Sequence, residues 1–484
     1  MNYPPLTRTS RRRFLRESAL VTLAFAGLRN AFESMAAAAA VEPGVGGLRS
    51  DPAGVLDLPP DFTYKIFSKA GEQMDDGLFV PGKHDGMGAF AGPGGKTILV
   101  RNHEIDAGAT RFSPFGDGHA FLSNVDRRKL YDYGNGRRPG LGGTSTLVYD
   151  TKEQRLDRHF LSLAGTYRNC AGGITPWNTW ITCEEDTSSR NRPGRNPNDA
   201  MEQEHGYNFE VPAGDDIHLA DPLPLKAMGR FNHEAVAVDP RSGIVYQTED
   251  RPDGLLYRFI PDQPGRLLAG GRLQALRIRD QHAADTRNFR EDTFKTGQRL
   301  DVEWVDVANV EAPDDDLRHR GFLDSGAARF ARGEGIWYGR DAVHFACTNG
   351  GRAQKGQVWR YFPSAAEGTS REQNEPGKLE LFIEPNDGEL VENCDNVTIA
   401  PWGDLIICED GRSPQYLVGV TPRGEIYRLG RTTLAEFAGA CFSPDGGTLF
   451  VNIQTPGMTL AIVGPWDKLA RGEGRSRMTS WPHL

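Results

Sequence analysis

Four residues able to bind metals share one offset in this chain. Fifteen residues after Cys170, Glu234, Glu334 and Asp395 stand Glu185, Glu249, Asn349 and Asp410. Carboxylate oxygens suit Ca2+ or Mg2+, whereas a thiolate suits a transition metal such as iron or zinc. If these groups converge, their charges repel and their pKa values rise, a penalty that cations remove. The expected ring of metal ligands is Glu104, Cys170, Glu185, Glu234, Glu249, Glu334, Asp395 and Asp410, with Glu436 as a further candidate. Donors of this mixture predict more than one kind of metal. Asn169 and Asn349 add neutral polar groups. Arg332, two residues before Glu334, has the planar fork that clamps a phosphate or carboxylate.

Short strands must carry these groups. Six hydrophobic runs end in an acid or amide: Thr97–Glu104, Trp180–Asp186, Ile244–Asp250, Val343–Asn349, Asp404–Asp410 and Thr448–Gln454. The last five are each preceded by a turn rich in Pro, Gly, Asn or Asp, as in Thr175–Asn178, Asp239–Gly243, Tyr338–Asp341, Ala400–Asp404 and Ser443–Gly447. Two strands of about five residues and a turn of about four account for the offset, so each pair sits at the open end of a hairpin. Such hairpins at irregular intervals predict an all-β fold, a six-bladed β-propeller with the metal cluster at one end of the central channel. The rival architecture is a β-sandwich whose turn spacing coincides by chance.

The 484 residues include 57 Gly and 31 Pro, a turn-dense composition without sustained helical periodicity. A net charge of −9 argues against a nucleic-acid partner. Ser10-Arg-Arg-Arg-Phe-Leu-Arg16, an apolar stretch from Ala19 to Leu28 and an alanine run from Ala36 to Ala40 read as a twin-arginine export signal. The expected organisation is residues 1–40 as signal peptide and 41–484 as one propeller domain. That predicts a partner in the twin-arginine translocation machinery, a periplasmic or secreted protein, no stable membrane anchor, and a monomer. Residues 1–40 hold six Arg and two Glu, so their removal takes the charge from −9 to −13.

Of the six cysteines, Cys183, Cys347 and Cys408 occupy one place in three hairpins and read as small buried hydrophobes. Cys170 stands where the next two pairs have Glu, and a disulfide to it remains open alongside metal binding. No phosphate-binding G-x-x-x-x-G-K-S/T loop, H-E-x-x-H zinc pattern or G-x-S-x-G nucleophile elbow occurs.

The segment Asn169-Cys-Ala-Gly-Gly-Ile-Thr-Pro-Trp-Asn-Thr-Trp-Ile-Thr-Cys-Glu-Glu185 resembles the Asn-Cys-x-Gly-Gly block of the PhoX-type alkaline phosphatases. Val100–Glu104, Asn232–Glu234, Arg332–Glu334, Thr348–Gly350, Asp395–Asn396, Glu409–Gly411 and Phe450–Gln454 resemble further blocks in the same order. The resemblance runs from about Asp85 to Pro465, in a chain shorter than the best-known members. It implies a six-bladed propeller holding Fe3+ and Ca2+ and hydrolysing phosphate monoesters by attack of a metal-held oxygen. Cys170 and Glu234 would bind iron. Glu104, Glu185, Glu334, Asp395 and Asp410 would complete the iron and calcium shells. Arg332 would hold the phosphate, with Asn169 beside it. Two rivals stand against this reading: a calcium-propeller lactonase or phosphotriesterase, and a non-catalytic propeller whose metals only stabilise a surface that binds a protein.

Overall fold

A computed structural model describes residues 47–192 and 198–471 of the chain, all within one compact unit, Gly44–Leu484. The expected signal peptide, residues 1–40, lies outside the described residues. Among those described, no helix is long and apolar enough to cross a membrane.

The architecture is all-β and propeller-like. Strand β1 (Thr63–Lys69) precedes a first meander of β2 (His84–Ala91), β3 (Thr97–His103), β4 (Gly142–Asp150) and β5 (Arg155–Thr166). A second comprises β6 (Asn169–Ile174), β7 (Thr179–Glu184) and β8 (Asn208–Pro212). Next come β9 (His233–Val238), β10 (Val245–Glu249), β11 (Gly254–Pro261), β12 (Gly271–Ile278), β13 (Arg299–Asp306) and β14 (Arg329–Phe330). Strands β15 (Gly333–Tyr338), β16 (Val343–Cys347), β17 (Gln357–Phe362) and β18 (Lys378–Ile383) follow. The last two meanders are β19 (Cys394–Ile399), β20 (Leu405–Glu409), β21 (Gln415–Val420) and β22 (Ile426–Thr432), then β23 (Phe437–Phe442), β24 (Leu449–Ile453) and β25 (Met458–Val463).

The first strands β2, β6, β9, β15, β19 and β23 pack against one another in a closed cycle, each touching the next and β23 touching β2. The sheets themselves do not separate into six four-stranded units. One end of β13 pairs with β12 and the other with β18, which fuses two meanders into a ten-stranded sheet, and the sheet of β6–β8 has three strands. Closure is supplied by β1, which pairs antiparallel with β25 and brings an early segment onto the last meander.

Local chemistry explains the hairpins. The strands are rich in Val, Ile, Thr and aromatic residues, which fit a pleated, buried surface. Their turns carry residues that tolerate positive φ: Gly94, Gly243, Gly403 and Gly446, and Asn178 at φ 64° between β6 and β7. Apolar cores lie between successive meanders. Phe90, Ile98 and Val100 of the first pack against Trp180, Phe209 and Val211 of the second. Met87, Leu99 and Tyr149 meet Cys441, Phe450 and Ala461 of the last. Burying one such side chain fully stabilises the fold by about 1.5–3 kcal/mol, so these seams hold the ring and fix where the strand ends point.

Candidate metal centre

One backbone hydrogen bond recurs six times at the open ends of the inner hairpins. The residue after each second strand donates its N–H to a carbonyl just upstream of the paired first strand. The pairs are Glu104 to Lys83, Glu185 to Arg168, Asp250 to Asn232, Thr348 to Arg332, Asp410 to Asn393 and Gln454 to Glu436, at 2.9–3.2 Å. Two residues beyond each acceptor come Asp85, Cys170, Glu234, Glu334, Asp395 and Ala438. Lys83, Arg168, Arg332 and Asn393 take φ between 44° and 55°, the left-handed turn by which the chain enters four of the six strands. For residues other than glycine this conformation costs roughly 1–2 kcal/mol.

Fourteen of these eighteen positions line one cavity of about 640 Å³, together with Asp106, Arg251 and Pro252. Ten carboxyl groups and the Cys170 thiol face four cations there, Lys83, Arg168, Arg251 and Arg332. Three groups have ligand atoms mutually within 4.8 Å: Cys170, Glu185 and Glu234; Asp85, Glu104 and Glu436; Glu234, Glu334 and Asp395. Glu234 belongs to two of them.

The electrostatics follow from this crowding. Burial, and then the charges of Glu104 and Asp395, hold the Asp85 carboxyl well above its ordinary value. Burial and Asp395 do the same to Glu234, and burial and Asp250 to Glu334. Asp395 is raised to about 7 by burial and Asp410. Glu185 reaches about 8, its burial outweighing the nearby Arg168. Glu436 is pushed to about 11 by burial and its contact with Asp410. Burial and Glu234 likewise push up the Cys170 thiol. Bound cations are the chemistry that lets such a set ionise together. The donors match two kinds of ion, a thiolate-tolerant transition metal at Cys170 and a hard cation among the oxygens.

The cations are tied into the ring. Arg332 grips Asp250 through Nε and Nη2, both at 2.7 Å, and its Nη2 also reaches Glu334 Oε1 at 2.7 Å. Its Nη1 makes no hydrogen bond among the described residues. Arg168 bridges Glu104, Glu185 and Asp106. Lys83 Nζ donates to Gln454 Oε1 at 2.6 Å. Backbone positions of the ligand residues are fixed from the neighbouring meander. Asn102 Nδ2 donates to the carbonyls of Cys170 and Ala171, Thr248 Oγ1 to that of Glu334, and Asn452 Nδ2 to that of Asp85. Asn102, Thr248 and Asn452 each lie two residues before a cavity residue, Glu104, Asp250 and Gln454.

Of the expected ligands, Glu104, Cys170, Glu185, Glu234, Glu334, Asp395 and Asp410 line the cavity, as does Arg332. Glu249 does not. It is fully buried behind the rim, where its Oε2 accepts from Leu255 N at 3.2 Å and Tyr257 Oη at 2.9 Å. The next residue, Asp250, faces the cavity instead. Asn169 is also turned away: its Nδ2 donates to Thr182 Oγ1 and its Oδ1 accepts from Thr166 Oγ1. Asn349 lies outside the cavity too: Thr348 makes the rim hydrogen bond of that hairpin, and neither residue lines the cavity.

Sequence reasoning passed over Asp250, Arg168, Lys83 and Gln454, and gave Asp85 no role. A signal for three of them existed. Lys83-His-Asp85, Arg168-Asn-Cys170 and Arg332-Gly-Glu334 share a cation two residues before a candidate ligand. All six cysteines are free and buried, so Cys170 is in no disulfide.

A family model described as alkaline phosphatase PhoX matches residues 44–135 and 143–457. Among solved structures, Pseudomonas fluorescens PhoX in complex with vanadate, a transition-state analogue, aligns with a TM-score of 0.63 and 18% identity, covering 90% of this chain and 100% of that one. A Xanthomonas campestris gluconolactonase aligns with a TM-score of 0.37 and 13% identity, covering 86% of this chain and 99% of that one. No curated protein matches the chain.

Proposed function

This chain belongs to the PhoX alkaline phosphatase family, and from that premise we propose that it is an exported, metal-dependent phosphatase acting on phosphate monoesters. The observation that carries the reading is the convergence of Cys170 and the carboxylates on one cavity beside Arg332 and Arg168. A six-bladed propeller is the architecture that fits: six hairpins repeat one rim hydrogen bond, and their first strands form a closed cycle. The twin-arginine motif at Ser10–Arg16 supports export to the periplasm or beyond.

Cys170, Glu185 and Glu234 would hold Fe3+; Asp85, Glu104 and Glu436, and Glu334 with Asp395, would hold Ca2+, with Asp410 adjoining. Such ions, when bound, supply Lewis-acid stabilisation of the charge that gathers on phosphoryl oxygens and a departing alkoxide. The chain's own residues bind and orient. Asp250 and Glu334 fix two edges of the Arg332 guanidinium and leave Nη1 to donate to a phosphoryl oxygen. Arg168, held by three carboxylates, keeps a second positive charge at the cavity wall. Together they offset an acidic surface that would otherwise repel a phosphate ester.

The test is elemental analysis of the purified protein beside an assay with p-nitrophenyl phosphate. Iron with calcium, and hydrolysis abolished by chelation, is the expected result. Full turnover by metal-free protein overturns it. Arg332→Lys keeps the charge but loses the fork, and lowers kcat/KM about 10²-fold.

A further inference from the structure

We propose that Phe112 is a stacking platform for a flat ring in the leaving group of the phosphate ester, a specificity residue that rests on the phosphatase reading above. The metal-ligand cavity adjoins a second cavity of about 430 Å³, and the two share three lining residues, Lys83, Glu104 and Asp106. The second cavity is lined further by Ile105, Ala107, Ala109, Arg111 and Phe112. A phosphoryl group seated beside Arg332 and Arg168 therefore has an adjoining space for the group it is esterified to.

Phe112 is built unlike an ordinary surface phenylalanine. The residue is 46% exposed, and its backbone lies at φ 62°. That left-handed conformation is an outlier for a bulky residue and requires compensation from its surroundings. Gly82 supplies it: a Cβ at position 82 would lie 2.4 Å from Phe112 Cγ, so the aromatic side chain occupies the space that any larger residue would fill. Gly82 N also donates to the Phe112 carbonyl at 3.3 Å. The glycine immediately precedes Lys83, which lines both cavities. A ring fixed on one side by glycine backbone and open on the other offers an aromatic partner a preorganised face. Arg111 beside it has no ion-pair partner among the described residues and adds positive charge where an anionic ester must approach.

The chemical class is a monoester whose leaving group carries an aromatic or heteroaromatic ring, as in an aryl phosphate or a nucleoside 5′-monophosphate. Phe112→Ala should raise KM for p-nitrophenyl phosphate and adenosine 5′-monophosphate roughly tenfold, leave kcat near the wild-type value, and leave glycerol 3-phosphate unaffected. Phe112→Trp should restore the wild-type KM. A larger effect on one ringed substrate than the other identifies which ring the platform serves. An equal loss on all three substrates, or no loss on any, overturns the proposal. If the wild type hydrolyses none of them, the phosphatase reading fails and calorimetric binding decides the platform. Adenosine 5′-monophosphate then binds roughly tenfold more weakly to Phe112→Ala with inorganic phosphate unchanged, and equal weakening or no binding overturns it.

Discussion

Glu249 and Asp250 are neighbours in the chain, yet their carboxylates serve opposite sides of the rim. Asp250 faces the cavity and holds Arg332 by two hydrogen bonds, while Glu249 points back to cap Leu255 N and Tyr257 Oη. Two other acid pairs divide in the same way. Glu184 accepts from the backbone of Tyr167 and Gly206 while Glu185 lines the cavity. Glu409 accepts from Glu392 and Tyr416 while Asp410 lines it. Removing the inner-facing and outward-facing members should therefore separate function from stability. Glu249→Ala leaves two buried donors unsatisfied and should cost about 2–5 kcal/mol, with metal content per folded protein unchanged. Asp250→Ala should retain most of the stability but lose activity, because Arg332 loses its bidentate anchor. Denaturant titration with elemental analysis and an activity assay on each variant checks both arms.

The same division marks the limit of what spacing can reveal. A strand alternates its faces, so a shift of one residue exchanges a cavity ligand for a buried cap. The fifteen-residue offset is correct for Cys170 with Glu185 and for Asp395 with Asp410. Measured from the structural equivalents, however, Glu234 pairs with Asp250 and Glu334 with Thr348, one residue longer and one shorter. Turn length differs by a residue between hairpins, and nothing in a run of Glu-Asp says which acid follows the bend. The hairpins and their convergence were legible because polar ends on hydrophobic runs repeat. Closure by β1 was not, because Thr63–Lys69 shows no repeat and acquires its partner, β25, only in the folded chain. The joining role of β13 escaped for the same reason.

Metal-free protein should lose stability as pH rises. The Asp395 carboxyl stands at about 7 and that of Glu185 at about 8, both raised chiefly by burial. A carboxyl whose folded value exceeds its unfolded one favours the folded state fully below the unfolded value, near 4. That advantage is lost as pH climbs through the folded value. The decline should run from about pH 4–5 to pH 7–8. Urea unfolding midpoints of chelator-treated protein at pH 6 and pH 8.5 measure it. Restored cations should flatten the dependence, because they stabilise the ionised carboxylates. A metal-free protein more stable at pH 8.5 than at pH 6 contradicts this account of the cavity.

Cys170→Ser tests the thiol. Serine is close in volume, but its hydroxyl is far less acidic than a thiol and stays protonated, so it supplies no anionic ligand in place of the thiolate. Iron content should fall at least tenfold, with calcium retained by the oxygen-rich groups. The absorption from sulfur-to-metal charge transfer should vanish. Cys183→Ser is the control, since Cys183 is buried in β7 and does not line the cavity. Unchanged iron in Cys170→Ser removes the residue from the centre.

Asn102 and Asn452 permit a sharper experiment on how the fold aims its ligands. Each is a fully buried amide that hydrogen-bonds a ligand residue's carbonyl across a meander boundary: Asn102 that of Cys170 at 3.0 Å, Asn452 that of Asp85 at 2.6 Å. Substitution by leucine keeps the bulk and leaves buried carbonyls unpaired, costing about 1–3 kcal/mol apiece. Both variants should thus be less stable. Each amide oxygen also accepts a buried hydrogen bond, Asn102 from Trp180 Nε1 and Asn452 from Thr459 Oγ1, but Asn102→Leu should cost more because its amide serves the Ala171 carbonyl as well. Their metal signatures should differ. Asn102→Leu frees the backbone under the thiol and should shift the charge-transfer band of cobalt-substituted protein. Asn452→Leu should leave that band in place and weaken calcium binding instead, since Asp85 sits with Glu104 and Glu436. Equal changes in the band for both would mean that neither amide aims a particular ligand, and that the ring transmits strain as one body.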